Sequence, residues 1–232
     1  MTGVQTCALP ICLWRCDLHL GVANSRALEL AGIDRETPDP PEGKIARDGA
    51  GNPTGVLREL ALNLIRNALP VQTEEKIMEN MKRCIRDLHA LGVTSVQDVR
   101  LMGGKDGASA LKLLKRLHET GDLNMRCHVS LPGEKTDEAA ALGLRTGIGD
   151  DRLRLGHLKF FADGGMGART AWMIEPYNDA EYGMPLTPVE EIKPAVEKAH
   201  AAGLSVMVHS IGDRTCREII AMFEQIENNG GE

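Results

Sequence analysis

Lys159, Asp163 and His209 are the residues whose types and spacing could do chemistry. Lys159 stands in "HLKFFADGGMGART" (157–170), inside an apolar run that ends at a glycine-rich loop. An ammonium taken out of water is costly unless it escapes to solvent, finds a partner or changes its chemistry. Strand alternation through this run puts His157, Lys159, Phe161 and Asp163 on one side, and Leu158, Phe160 and Ala162 on the other. Lys159 then either serves a site or reaches outward to pair with Asp163 or Asp98. In "LSVMVHSIGDR" (204–214) the same alternation joins Met207 to His209 at the strand's end. His209 reads as a satisfied core histidine or as a metal ligand through its neutral imidazole. Asp213 reads as the N-cap of the helix that follows. His89, His118 and His200 fall on helices beside charged residues and read as solvated, while His128 is mid-strand.

The elements that must position these residues alternate strand with helix from residue 73 onward. Thr73 caps a first helix with Glu74 and Glu75 in its first turn. Its apolar stripe is Ile77, Met81, Ile85, Leu88 and Leu91, and Gly92 closes it. Strands are expected at 93–99, 125–131, 153–161 and 204–210. Helices are expected near 107–120, over an alanine-rich 134–146, and up to Ala202. Thr187 and Glu190 offer that third helix a capping box, with Pro188 at the first helical position. A last helix carries Ile219, Ile220, Phe223 and Ile226. Such alternation implies a parallel sheet with crossover helices, either doubly wound or a (β/α)8 barrel. No GxGxxG or P-loop follows a strand. Polar groups stand at successive strand ends: Asp98, then Lys159 with Asp163, then His209 with Asp213. That placement favours the barrel, whose sites gather at the C-terminal strand ends. "GKIARDGAGNPTGVL" (43–57) reads as a β-hairpin inserted before the repeating units.

Bulk properties narrow the partners. A net charge of −6 and only 3% aromatic residues argue against nucleic acid, and no apolar run reaches the ~18 residues of a membrane span. Six scattered cysteines with no CxxC pair suit reduced thiols in a cytoplasmic protein better than a disulfide scaffold. A small-molecule substrate is the expected partner, and a homo-oligomer is compatible. "MTGVQTCALPI" spells a translated sequencing adapter, so residues 1–12 are expected to be artefact. Residues 13–72 then form the N-terminal part of the domain with its hairpin, and 73–232 hold about four βα units. The abrupt end after "FEQIENNGGE" reads as an interruption, which makes the chain an internal fragment.

"LKFFADGGMGART" followed by "VHSIGDR" resembles amidohydrolase family 3, the group that includes N-substituted formamide deformylases. "ANSRALELAGI", "TPDP", "DGAGNPTGVLREL" and "LGVTSVQDV" resemble the same family in the same order, over nearly everything from Asp17 onward. The resemblance implies a partial (β/α)8 barrel and hydrolysis of a non-peptide C–N bond by a metal-activated water. It implies one or two divalent metals, zinc being the first expectation among zinc, manganese and iron. It also implies that Lys159 is carboxylated and bridges the metals, with His209 a second ligand and Asp163 a further catalytic residue. His19, in "CDLHLG", and Asp98 are expected near substrate. The family's His-x-His pair and its later histidine and aspartate are absent from the sequence, so the isolated fragment is expected to be inactive. A non-catalytic binding protein built on the same barrel is the alternative. A metal-free Lys159 Schiff-base enzyme is a more distant one.

Overall fold

The computed structural model describes residues 9–41, 43–99 and 107–229. They divide into two compact units, the first within Met1–Val71, Asp163–Leu186 and Ser210–Arg217, the second within Gln72–Ala162, Thr187–His209 and Glu218–Glu232.

The first unit is built on a four-stranded antiparallel sheet. Its strands β1 (Cys12–Trp14), β2 (Leu20–Ala23), β3 (Gly43–Arg47) and β4 (Pro53–Glu59) lie in the order β1-β2-β4-β3. The expected hairpin is present as β3–β4, joined by a turn in which Asp48 accepts from the N–H groups of Ala50 and Asn52. It is not a free insertion, however, because β2 pairs with the far side of β4. Alternation in β4 turns Gly55, Leu57 and Glu59 inward. Leu57 and Ile45 pack there against Ala27 and Leu28 of α1 (Ser25–Leu30) and Leu62 and Ile65 of α2 (Leu62–Ala68). Gly55 adopts φ +95°, and a Cβ there would lie 2.3 Å from the Ala23 carbonyl, so only glycine lets β4 approach β2 this closely.

The second unit is an α/β layer. α3 (Glu74–Ala90) leads to β5 (Ser95–Asp98), α4 (Gly107–Glu119) to β6 (Arg126–Pro132), and α5 (Thr136–Ala141) to β7 (Leu153–Phe161). α6 (Val189–Ala201) then leads to β8 (Ser205–His209), and α7 (Asp213–Asn229) follows. The four strands are all parallel, in the order β5-β6-β7-β8. One face is covered by helices: Leu117 of α4 meets Cys127 and Val129, while Ile192 and Val196 of α6 and Met222 of α7 meet Ala162, Val206 and Val208.

Thr73 does cap α3, accepting from the Lys76 N–H, and Gly92 closes the helix at φ +80°. Thr73→Ala is expected to lower stability by about 1 kcal/mol. A thermal or urea midpoint indistinguishable from the parent would show the cap to be idle. Four helical expectations need correction. Leu91 is not in the stripe; it is the C-cap and 80% exposed. Ile220 of α7 is exposed, and Met222 takes the inward position. The capping box fails because Pro188, with ψ 145°, is itself the cap and α6 starts at Val189. Glu190 is then one residue short of the box position. The alanine-rich helix is shorter than its composition suggests, a 3-10 turn at Gly133–Lys135 preceding α5, and Gly143 lying left-handed soon after it.

Pairing along β7 contains an irregularity that matters for the site. Val129 pairs with Leu155 but Leu131 with Leu158, so β7 holds one extra residue at Gly156–His157. Before this bulge Leu153 and Leu155 face the helices; after it Leu158, Phe160 and Ala162 do. Strict alternation along the whole strand would have put Lys159 among the leucines. The bulge turns it to the opposite face.

Candidate active site

On that opposite face of the second unit, Lys159 and Phe161 project two residues apart, and Phe161 stands in register with His209. Lys159 is 9% exposed, and its Nζ lies 4.7 Å from the centroid of the Phe161 ring. The His209 imidazole meets the same ring from the other side of the pairing, with centroids 5.4 Å apart and planes inclined at 38°. The structure therefore brings Lys159 and His209 to one face, around one aromatic ring. An ammonium over a ring face is favourable, though worth less than the solvation it replaces. Lower on the same strand, His157 Nδ1 meets Gln97 Nε2 at 3.1 Å. Burial, helped by the nearby His128, holds the His157 imidazole below the usual histidine range. Ser130, opposite the bulge, has a buried hydroxyl with no partner. Asp98 sits at the C-terminal end of β5; burial first, then the Asp98 charge, pushes the neighbouring Cys127 thiol up. Among the described residues, no three His, Cys, Asp or Glu side chains gather where they could hold a metal ion.

Asp163 and His19 belong to the first unit. Asp163 is fully buried, and four donors reach its carboxylate. Oδ1 accepts from Ile211 N–H at 2.9 Å; Oδ2 accepts from Gly212 N–H at 2.7 Å, Trp172 N–H at 3.0 Å and Thr215 Oγ1 at 2.8 Å. Three of these donors, on Ile211, Gly212 and Thr215, lie at the start of α7, so Asp163 supplies from a distance the anionic cap that a helix N-terminus favours. Asp213, expected to be that cap, instead accepts from Ile174 N–H at 2.8 Å as well as from Arg214 N–H.

His19 is buried, with Nδ1 2.8 Å from Glu59 Oε2. Glu59 also accepts from Thr170 Oγ1, which in turn accepts from Gly165 N–H at 3.0 Å. Glu59 and Thr170 escaped the sequence reading because their partners lie 40 and 111 residues away. The one local hint was that Glu59 falls on the buried parity of β4 beside Gly55 and Leu57.

Comparison with known proteins finds a family model that covers nearly the whole chain. A family model described as "Amidohydrolase family" matches residues 4–231. YtcJ of Bacillus subtilis, named as an amidohydrolase, is 33% identical over 218 residues, covering 93% of this chain and 41% of that protein. The N-substituted formamide deformylase of Arthrobacter pascens is 26% identical over 229 residues, covering 94% and 41% respectively. Among solved structures, an uncharacterized metal-dependent hydrolase from Pyrococcus furiosus matches with a TM-score of 0.66 and 30% identity, over 95% of this chain and 44% of that one. The chain thus spans less than half the length of the relatives it matches.

Proposed function

The chain belongs to the amidohydrolase family, and from that premise we propose that it is the central part of a metal-dependent hydrolase acting on a non-peptide C–N bond, built on a (β/α)8 barrel of which β5 to β8 are four strands. The observation that carries this reading is the shared face: Lys159 and His209, on neighbouring strands, both meet the Phe161 ring. A histidine and a buried lysine fit a metal as part of a donor set, but two donors hold an ion weakly. The relatives are more than twice as long, and the remaining ligands are assigned to sequence of that kind.

Lys159 enters the donor set as a carbamate. Its neutral amine adds to the carbon of CO2, forming the N–C bond and releasing one proton, and the side chain becomes an anion. The product is a carboxylate, a donor suited to divalent ions. His209 donates through neutral imidazole, beside the Phe161 ring that Lys159 also meets. Asp163, whose oxygens receive four donors, acts on the loop rather than on substrate. Asp98, at the C-terminal end of β5, is the remaining candidate for substrate contact in the second unit. When bound, a divalent ion, zinc by first preference, would supply Lewis-acid polarisation of the substrate carbonyl and activation of water.

The test is the complete protein stripped of metal and reconstituted with zinc, with and without bicarbonate, then assayed on N-formyl and N-acyl amines. Bicarbonate is expected to speed recovery of both bound zinc and hydrolysis. Protein that neither takes up metal nor hydrolyses any such amine would defeat the proposal and favour a binding protein on the same scaffold.

A further inference from the structure

Two side chains from distant parts of the chain, His19 and Thr170, meet around one carboxylate, that of Glu59, in the first unit. Glu59 Oε2 lies 2.8 Å from His19 Nδ1, and Oε1 accepts from Thr170 Oγ1. All three residues are buried. With the carboxylate as acceptor, His19 Nδ1 is the donor of this pair. The backbone around the pair is unusual. Leu18 (φ 65°) and Glu59 (φ 49°) are both left-handed without being glycine, a state that persists where the surroundings over-determine it. The loop they hold is fitted closely. A Cβ on Gly164 would fall 2.3 Å from Glu59 Oε1, and one on Gly165 would fall 2.9 Å from His19 Cδ2.

The loop 163–170 is therefore fastened at two points by two carboxylates. Glu59, through Thr170 and Gly165, ties it to β2 and β4. Asp163 ties the same loop to the turn at Ile211 and Gly212. That loop begins four residues after Lys159, and that turn two residues after His209. We propose that His19, Glu59 and Thr170 are positioning residues: they hold loop 163–170 and, through Asp163, the turn after β8, and so set the two segments that leave Lys159 and His209. The part of this inference that concerns metal rests on the function proposed above; the part that concerns the loops does not.

The experiment uses the complete protein as parent, Glu59→Gln, Thr170→Val and Thr170→Ser. Amide hydrogen exchange is followed in peptides covering 163–172 and 208–214, and the zinc dissociation constant is measured by chelator competition. Glu59→Gln and Thr170→Val are expected to exchange at least about tenfold faster in those two peptides, with β6 unchanged. Their zinc affinity is expected to fall about 10- to 100-fold, as when outer partners of ligands are lost. Thr170→Ser, which keeps the hydroxyl, is expected to stay near the parent in both measurements. Exchange within twofold of the parent would overturn the proposal. So would a uniform rise that includes β6, or a Thr170→Ser variant as impaired as Thr170→Val. Faster loops with unchanged zinc affinity would overturn the action on Lys159 and His209. A parent that binds no zinc would defeat the proposed function, while the exchange result would still decide the loop assignment.

Discussion

Lys159→Ala in the complete protein is expected to remove bound metal and lower kcat/KM by about a thousandfold or more, the scale set by losing several kcal/mol of metal-supplied stabilisation. The substitution also removes a long side chain from beside Phe161, so folding must be separated from chemistry. Circular dichroism and the thermal midpoint are expected to change little, since the side chain lies against a ring rather than inside a helix-covered cluster. Lys159→Arg provides the sharper comparison. It keeps a cation over the ring but cannot form the carbamate, and is expected to be as inactive as the alanine variant. An arginine variant that retained metal and turnover would show that the positive charge, not a carboxylated amine, is what the site needs.

Asp163→Ala is expected to produce the largest loss of stability, about 3–4 kcal/mol, because it leaves several donors in or near the interior without an acceptor. Asp163→Asn is expected to cost less, about 1–2 kcal/mol, since one oxygen remains but an amide now faces a donor. Both tryptophans, Trp14 and Trp172, fall in the first unit, and Trp172 N–H is itself a partner of Asp163. Urea unfolding followed by tryptophan fluorescence therefore reports on the region concerned. A midpoint for Asp163→Ala matching the parent would mean that backbone packing alone holds the loop and that the carboxylate is dispensable to it.

How far the sequence could be read follows from the range of the interactions. The parallel strands were legible because each is a short apolar run punctuated by glycine and followed by a helical period; β7 matches its expected bounds residue for residue. Lys159 and His209 were legible because each sits at a polar interruption of such a run. β1 and β2 were not, being three and four residues long with no sustained alternation; β2 is placed by β4, more than thirty residues later, and β1 by β2. The His19–Glu59–Thr170 network was hidden for the same reason. Asp163 was picked out by its motif, but only the fold shows its oxygens engaged by the start of α7. The failed capping box shows the opposite error, a local pattern overridden when Pro188 took the cap position.

The extra residue at Gly156–His157 makes β7 two half-strands of opposite phase joined at a single point. With both residues present, everything downstream of that point, Lys159 and Phe161 included, owes its facing to the bulge. What must be preserved is the pairing of Leu155 with Val129 and of Leu158 with Leu131, not the extra residue itself. Straightening β7 with both residues kept would present Leu158 and Phe160 to the other face and drive Lys159 into the helix layer, whereas deleting one of the two would leave a regular strand with Lys159 facing as it does now. Related chains are accordingly expected to tolerate a single-residue gap between the Leu155 and Leu158 positions, and to lose the bulge with it.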